Sequence, residues 1–205
     1  MQFPVQYKTI NTNSEGSYSE LSSKFLAFAY PINSESDINT YRTQLKKLHH
    51  KAVHVVFAYR LGINNEIEKS SDDGEPSGSS GLPVLNVLRS HQLTNIAICV
   101  VRYYGGKKLG IPGLIRAYKT AAENAIENNT VIIKDIFFHY SVSVEEQFFN
   151  NLSHALNQIG ASILEIEYGS QCNFIIRIKA EQKENLEILI TKFWQAEWTL
   201  VNGKW

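Results

Sequence analysis

The stretch Ile96 to Tyr104 constrains the fold more than any other part of this chain. Ile96-Ala97-Ile98-Cys99-Val100-Val101 is apolar on both faces that a strand would present, the pattern of a strand covered on two sides. Phe25 to Ile32 and His54 to Leu61 also have strand composition. Between them, Ser34-Glu35-Ser36-Asp37 offers small side-chain oxygens to the free N–H groups of a first helical turn. Ile38, Tyr41, Leu45 and Leu48 follow at helical spacing, with Arg42, Lys46 and Lys47 opposite. Ser70 to Gly81 reads as a polar, glycine-rich loop. Pro83 to about His91 predicts a short apolar helix, since proline suits the first turn. Leu114 to Asn128 predicts another, with Leu114, Tyr118, Ala121, Ala122 and Ala125 on one face.

Beyond Val131 to Ile136 the pattern becomes more regular, and that segment marks a boundary between domains 1–135 and 136–205. His139 to Val144 reads as a strand. Glu146 to Ile159 reads as a helix with Phe148, Leu152, Ala155 and Ile159 inward, stopped by Gly160. Ala161 to Tyr168 and Asn173 to Ala180 read as two strands around Gly169-Ser170-Gln171. In the second, Phe174, Ile176 and Ile178 alternate with Ile175, Arg177 and Lys179. Gln182 to Trp194 predicts a helix with Leu186, Leu189, Ile190 and Phe193 inward, and Trp198 to Val201 a closing strand. The order βαββαβ is that of a ferredoxin-like unit.

Lysine plus arginine and aspartate plus glutamate are both 20, so the formal net charge is zero and no global field attracts nucleic acid. The charge is divided, however. Residues 1–135 hold 15 basic and 12 acidic side chains, net +3, and residues 136–205 hold 5 and 8, net −3. From Pro76 to Ala122 there is no acidic residue, yet Arg89, Arg102, Lys107, Lys108, Arg116 and Lys119 lie there. The two cysteines, Cys99 and Cys172, form no disulfide framework. Met1 to Lys8 lacks the charged and apolar regions of a signal peptide, and no apolar run approaches the roughly 20 residues that span a bilayer. A reducing, cytoplasmic setting is the expectation.

Two segments carry the polar chemistry. In Ser71-Asp72-Asp73-Gly74-Glu75-Pro76-Ser77-Gly78-Ser79-Ser80-Gly81, three carboxylates fall within four residues, ahead of hydroxyls and glycines. Such a loop could hold a hard cation, or present backbone N–H groups to an anion at the start of the Pro83 helix; the competing reading is a solvated surface loop. It matches neither an EF-hand nor a Walker A loop. In the second, Arg102-Tyr103-Tyr104-Gly105-Gly106-Lys107-Lys108, a strand ends in two aromatics and a glycine turn carries two lysines. A helix starting near Gly113 would place Arg116 in its first turn. Cations beside a helix start suit phosphate, and Tyr103 or Tyr104 suits base stacking; a tight strand-to-helix connection with core tyrosines is the alternative. His50 and His54 are four apart, but no cysteine or carboxylate completes a metal set, and His54 fits a strand-end role. No Gly-x-Ser-x-Gly elbow is present.

These segments resemble the YigZ/IMPACT family. Asp72-Asp73-Gly74-Glu75-Pro76-Ser77-Gly78 matches its signature residue for residue. Arg102-Tyr103-Tyr104-Gly105-Gly106, Lys108-Leu109-Gly110 and Gly113-Leu114-Ile115-Arg116-Ala117-Tyr118 match a second signature, and His54 with Ala58-Tyr59-Arg60 fits an earlier one. Leu82 stands where many members have lysine or arginine, and Val55-Val56 where many have polar residues or cysteine.

The resemblance implies an α+β protein. Its N-terminal α/β sandwich would be like domains of ribosomal proteins and GHMP-type kinases, and its ferredoxin-like C-terminal domain like the last domains of elongation factor G. Eukaryotic relatives regulate translation under amino-acid starvation by competing for a large, ribosome-associated kinase activator, and they carry a different partner-binding domain, which this chain lacks. The role expected is therefore translation-linked and accessory rather than catalytic. RNA, the ribosome or a ribosome-associated protein is the partner, with no membrane, no metal and no cofactor. The alternatives are a nucleotide- or phosphate-ligand binder or enzyme built on the acidic loop, and a protein–protein regulator. Candidate contacts to ligand or nucleic acid are Asp72, Asp73, Glu75, Ser77, Arg102, Tyr103, Tyr104, Lys107, Lys108 and Arg116. Candidate structural positions are His54, Gly74, Pro76, Gly78, Gly105, Gly106, Gly110 and Gly113. No catalytic residue is assigned.

Overall fold

Ile96–Tyr103 forms the middle strand of a five-stranded sheet, and every residue from Ile96 to Arg102 is buried. The computed structural model describes residues 4–63 and 66–201. Met1 to Phe3, part of the stretch read for a leader, lie outside them. In chain order the elements are β1 (Gln6–Ile10), β2 (Ser14–Glu20), β3 (Ser23–Pro31), α1 (Glu35–Leu48), β4 (His54–Leu61), β5 (Ile67–Ser71), α2 (Gly81–Ser90), β6 (Ile96–Tyr103), α3 (Gly110–Glu127), β7 (Val131–Asp135), β8 (Phe137–Glu145), α4 (Glu146–Gln158), β9 (Ser162–Glu167), β10 (Gln171–Lys179), α5 (Lys183–Lys192) and β11 (Glu197–Val201). Helices and antiparallel sheets together make the class α+β. The chain divides into two units: Tyr7–Lys134, and Met1–Gln6 with Asp135–Trp205.

In the first unit the sheet runs β2-β3-β6-β4-β5, antiparallel throughout. The alternation of a strand sends successive side chains of β6 to opposite layers. Ile96, Ile98 and Val100 join a core with Val84, Leu88, Leu114, Tyr118 and Ala121 of α2 and α3. Ala97, Cys99 and Val101 join another with Ile38 and Leu45 of α1. The doubly apolar pattern of β6 thus reflects helices on both faces. Helix α1 begins where the small polar residues predict: the Asp37 carboxylate accepts the backbone N–H groups of Asn33 and Ser34, at 2.8 and 3.0 Å. Those bonds, the first above all, hold its carboxyl below the usual range against opposing burial. Of the expected inner face, Ile38 and Leu45 are buried and Tyr41 stacks on Tyr30, but Leu48 is 72% exposed.

Two departures from the sequence reading bear on the site. Ser70 and Ser71 end a strand, β5, and the loop begins only at Asp72. Helix α3 starts at Gly110, so Arg116 lies in its second turn. The β2–β3 hairpin has no glycine-rich signal; Leu21 and Ser22 both adopt positive φ in its two-residue turn. Gly16 of β2 is needed for the close approach of α3, because a Cβ there would lie 2.2 Å from the backbone nitrogen of Ala125.

The second unit is a βαββαβ sheet in the order β11-β8-β10-β9, the ferredoxin-like arrangement. Cys172, Phe174, Ile176 and Ile178 are buried along β10, as the alternation predicts. Leu152 and Leu156 of α4 and Leu186 and Leu189 of α5 are buried; Phe148, Ala155, Ile159, Ile190 and Phe193 are only half-buried, and the helices bury a narrower stripe than their spacing predicts.

Candidate functional site

The acidic loop folds back on its own carboxylates. Asp72 Oδ1 accepts from the Ser80 hydroxyl at 2.6 Å and from the backbone nitrogens of Gly81 and Ser80 at 2.7 and 3.1 Å. Its Oδ2 accepts from Gly78 N at 2.9 Å. Burial pushes this carboxyl up, but the Ser80, Gly78 and Gly81 bonds outweigh it and hold the group below the usual carboxylate range. The anion expected at the start of α2 is therefore the chain's own Asp72. Asp73 stands at φ +44°, tolerable for an aspartate. Its Oδ2 accepts from Val55 N at 2.8 Å, and its Oδ1 faces Lys46 and Arg42 of α1 at 3.0 and 3.4 Å. Burial again raises this carboxyl, and the bonds and cations lower it further than burial raises it. Among the described residues no group of three or more His, Cys, Asp or Glu side chains is placed to hold a metal ion.

Glu75 turns the other way and is 9% exposed. Its Oε1 accepts from Arg102 Nη1 at 2.6 Å and from the Tyr118 hydroxyl at 2.7 Å. Burial, then the Glu75 charge, pushes the Tyr118 hydroxyl far above the ordinary phenol range, so it stays a donor. His54 and Arg102 are cross-strand partners in β4 and β6, which puts both side chains on one face of the sheet. The His54 Nδ1 lies 2.8 Å from the Asp73 carbonyl, so it must carry the proton; Nε2 faces Glu75 Oε1 at 3.9 Å. These side chains floor a cavity of about 550 Å³. Val53, Leu109, Ile111 and Leu114 supply apolar wall, and Pro76, Tyr104, Lys108 and Gly110 complete the lining. The two signature segments, far apart in sequence, thus close one pocket.

The basic turn is less basic in space than in sequence. Arg89 pairs with Glu68, Arg102 with Glu75, Arg116 with Glu20 and Lys119 with Glu123. Among the described residues, Lys107 and Lys108 are the cations of that segment without an ion pair, and both are exposed. Arg116 neither lines the cavity nor starts the helix; the Glu20 carboxyl is held low by its hydrogen bond. The two tyrosines part company. Tyr103 packs toward the α1 core and bonds His49 Nδ1 at 2.8 Å. Tyr104 is 47% exposed at the cavity, with the Arg102 guanidinium 5.5 Å from its ring centre. Ser77 is exposed and outside the cavity lining.

The glycines have two distinct uses here. Gly74, Gly78, Gly106 and Gly110 adopt positive φ. Gly105 has a different reason: a Cβ there would lie 2.1 Å from the Ser22 carbonyl carbon, and its N–H donates to Ser23 Oγ. Sequence reasoning missed the polar role of Tyr118, which reads only as a core position on an apolar helix face. It missed Val53, Leu109 and Ile111 as cavity wall because nothing in their spacing says they meet.

The Impact N-terminal domain family matches residues 21–126. The IMPACT family member YvyE of Bacillus subtilis is 31% identical over 182 residues, spanning 89% of this chain and 81% of that one. The IMPACT family member YigZ of Escherichia coli is 28% identical over 148 residues, spanning 71% and 72%. A crystal structure of a protein described as hypothetical covers 97% of this chain and 98% of its own, with a TM-score of 0.72 at 22% identity, a likeness of fold. Both signature segments lie inside the matched region, and on these grounds the chain belongs to the IMPACT family.

Proposed function

We propose that this chain is a translation-linked binding module whose first unit takes RNA, free or within the ribosome, at the mouth of the Glu75–Arg102 cavity. One observation carries the reading: Tyr104 stands exposed at that mouth beside Lys108, next to the unpaired Lys107. An accessible aromatic face beside unpaired cations is the recurring device for single-stranded nucleic acid, the ring stacking on a base while the lysines meet phosphates. The other four cations of the acid-free segment are engaged by carboxylates, so the contact is small and local. The carboxylates of the signature loop are engaged within the fold, which favours a binding role over a phosphate-transfer site built on them.

The test is cosedimentation of the purified protein with ribosomal particles at low and high salt, beside a Lys107→Ala/Lys108→Ala variant. Comigration of the wild type at low salt, its loss at high salt, and no comigration of the variant are expected. Wild-type protein that stays at the top of the gradient in both salts overturns the ribosomal form of the proposal.

A further inference from the structure

The floor of the cavity is more specific than an RNA-binding surface requires. Arg102 is 6% exposed, and of its five N–H donors the fold uses one, the Nη1 bond to Glu75. Its Nε is buried with no hydrogen-bond partner among the described residues. Glu75 commits Oε1 to Arg102 and Tyr118, and its Oε2 has no partner among the described residues. His54 donates from Nδ1 to the Asp73 carbonyl, and its Nε2 faces Glu75 Oε1 at 3.9 Å. A buried donor with spare N–H groups therefore adjoins a carboxylate oxygen without a partner and an imidazole nitrogen. The buried, unpaired Arg102 Nε is costly unless something satisfies it. Leu109, Ile111 and Leu114 line the same cavity and offer apolar surface to a flat ring, beside the half-exposed Tyr104.

We infer that the cavity receives one extruded base of the bound RNA and reads the edge of guanine. The O6 carbonyl accepts from Arg102, while the N1–H and the 2-amino group donate to the Glu75 carboxylate beside His54. Of the four bases, guanine alone offers one acceptor followed by two donors along its pairing edge; uracil offers two acceptors around one donor, and adenine and cytosine each put a single amino donor there. The inference rests on the RNA reading, and names the ligand of the same site. The phosphates on either side of the extruded nucleotide meet Lys107 and Lys108.

The experiment uses fluorescein-labelled oligouridine with one central position changed to G, A, C or inosine, titrated with the full chain by anisotropy, and free GMP as competitor. The G oligonucleotide is expected to bind at least about tenfold tighter than the A, C and unsubstituted ones, a step of about 1.4 kcal/mol. Inosine, which keeps O6 and N1–H but lacks the 2-amino group, should fall between. Because the change is made on the ligand, the result does not depend on a variant folding. Glu75→Gln, which keeps an acceptor for Tyr118, should erase the G preference if it folds. Equal binding of all four bases would overturn the base pocket while leaving the RNA surface standing. No binding of any oligonucleotide, with GMP also inert, would overturn both. GMP binding alone would support the guanine pocket and overturn the polymer reading.

Discussion

Removing the Arg102 side chain as Arg102→Met should unfold the first unit far more readily than any surface change of equal size. Glu75, its side chain 3% exposed, would keep the Tyr118 hydroxyl as its one hydrogen-bond donor, with His54 Nε2 farther off at 3.9 Å. Stranding one member of a buried ion pair costs about 3–5 kcal/mol. Glu75→Met strands the Arg102 cation in the same surroundings and should cost a similar amount. The double variant strands no charge; its loss is the acceptor of Tyr118, worth about 1–3 kcal/mol. It should therefore be more stable than the sum of the single losses implies by at least about 2 kcal/mol, inside the range for residues in direct contact. Urea unfolding followed by far-UV circular dichroism measures this. Tryptophan fluorescence reports the other unit, because all three tryptophans lie within 135–205. Additivity of the two single changes within about 0.5 kcal/mol would refute the claim that Arg102 and Glu75 act as one buried pair.

The packing and the electrostatics give two further outcomes. Gly16→Ala forces a Cβ to within 2.2 Å of the α3 backbone at Ala125, and should destabilise by about 3 kcal/mol or more, read as a lower urea midpoint; a change under about 0.5 kcal/mol would contradict the close approach of β2 and α3. Asp72 and Asp73 both titrate below the ordinary carboxylate value, so the folded state holds fewer protons than the unfolded one. Their stabilisation is fully present above the unfolded value of about 3.9 and is lost as pH falls through the lower folded values. The urea midpoint should fall steeply there in the wild type and less steeply in Asp72→Asn; equal slopes would contradict the account.

Much of the fold is written in local patterns. The apolar run of β6 and the strict alternation of β10 each leave one reading of which residues are buried, and Ser34 with Asp37 marks the start of α1. The illegible parts depend on partners far away in sequence. Strand β2 is Ser-Glu-Gly-Ser-Tyr-Ser-Glu at a sheet edge, polar enough to pass for a loop, and its glycine is explained only by Ala125 of α3. Strand β5, Ile-Glu-Lys-Ser-Ser, is likewise an edge strand. The motifs mark segments that meet at one cavity, but not the duties of their residues. Asp72 looks like a ligand and serves as a helix cap. Arg116 looks like a phosphate contact and pairs with Glu20, ninety-six positions away. Tyr103 and Tyr104 are neighbours in sequence and point to opposite layers, which the alternation of β6 decides once the layers are known. The acid-free stretch from Pro76 to Ala122 suggests a field that its partners from outside the stretch, Glu20, Glu68, Glu75 and Glu123, mostly cancel.

That cancellation makes the salt dependence of RNA binding the most direct test. Two unpaired lysines neutralise at most two phosphates, and a single strand gives a slope of log affinity on log salt of about −0.7 per phosphate, hence about −1.4. Affinity for a short single-stranded RNA should then fall only about sevenfold between about 50 and about 200 mM salt. In Lys107→Ala/Lys108→Ala the slope should approach zero. A slope unchanged by that double substitution, or one of about −4 requiring the paired arginines as well, would contradict a contact centred on Tyr104, Lys107 and Lys108.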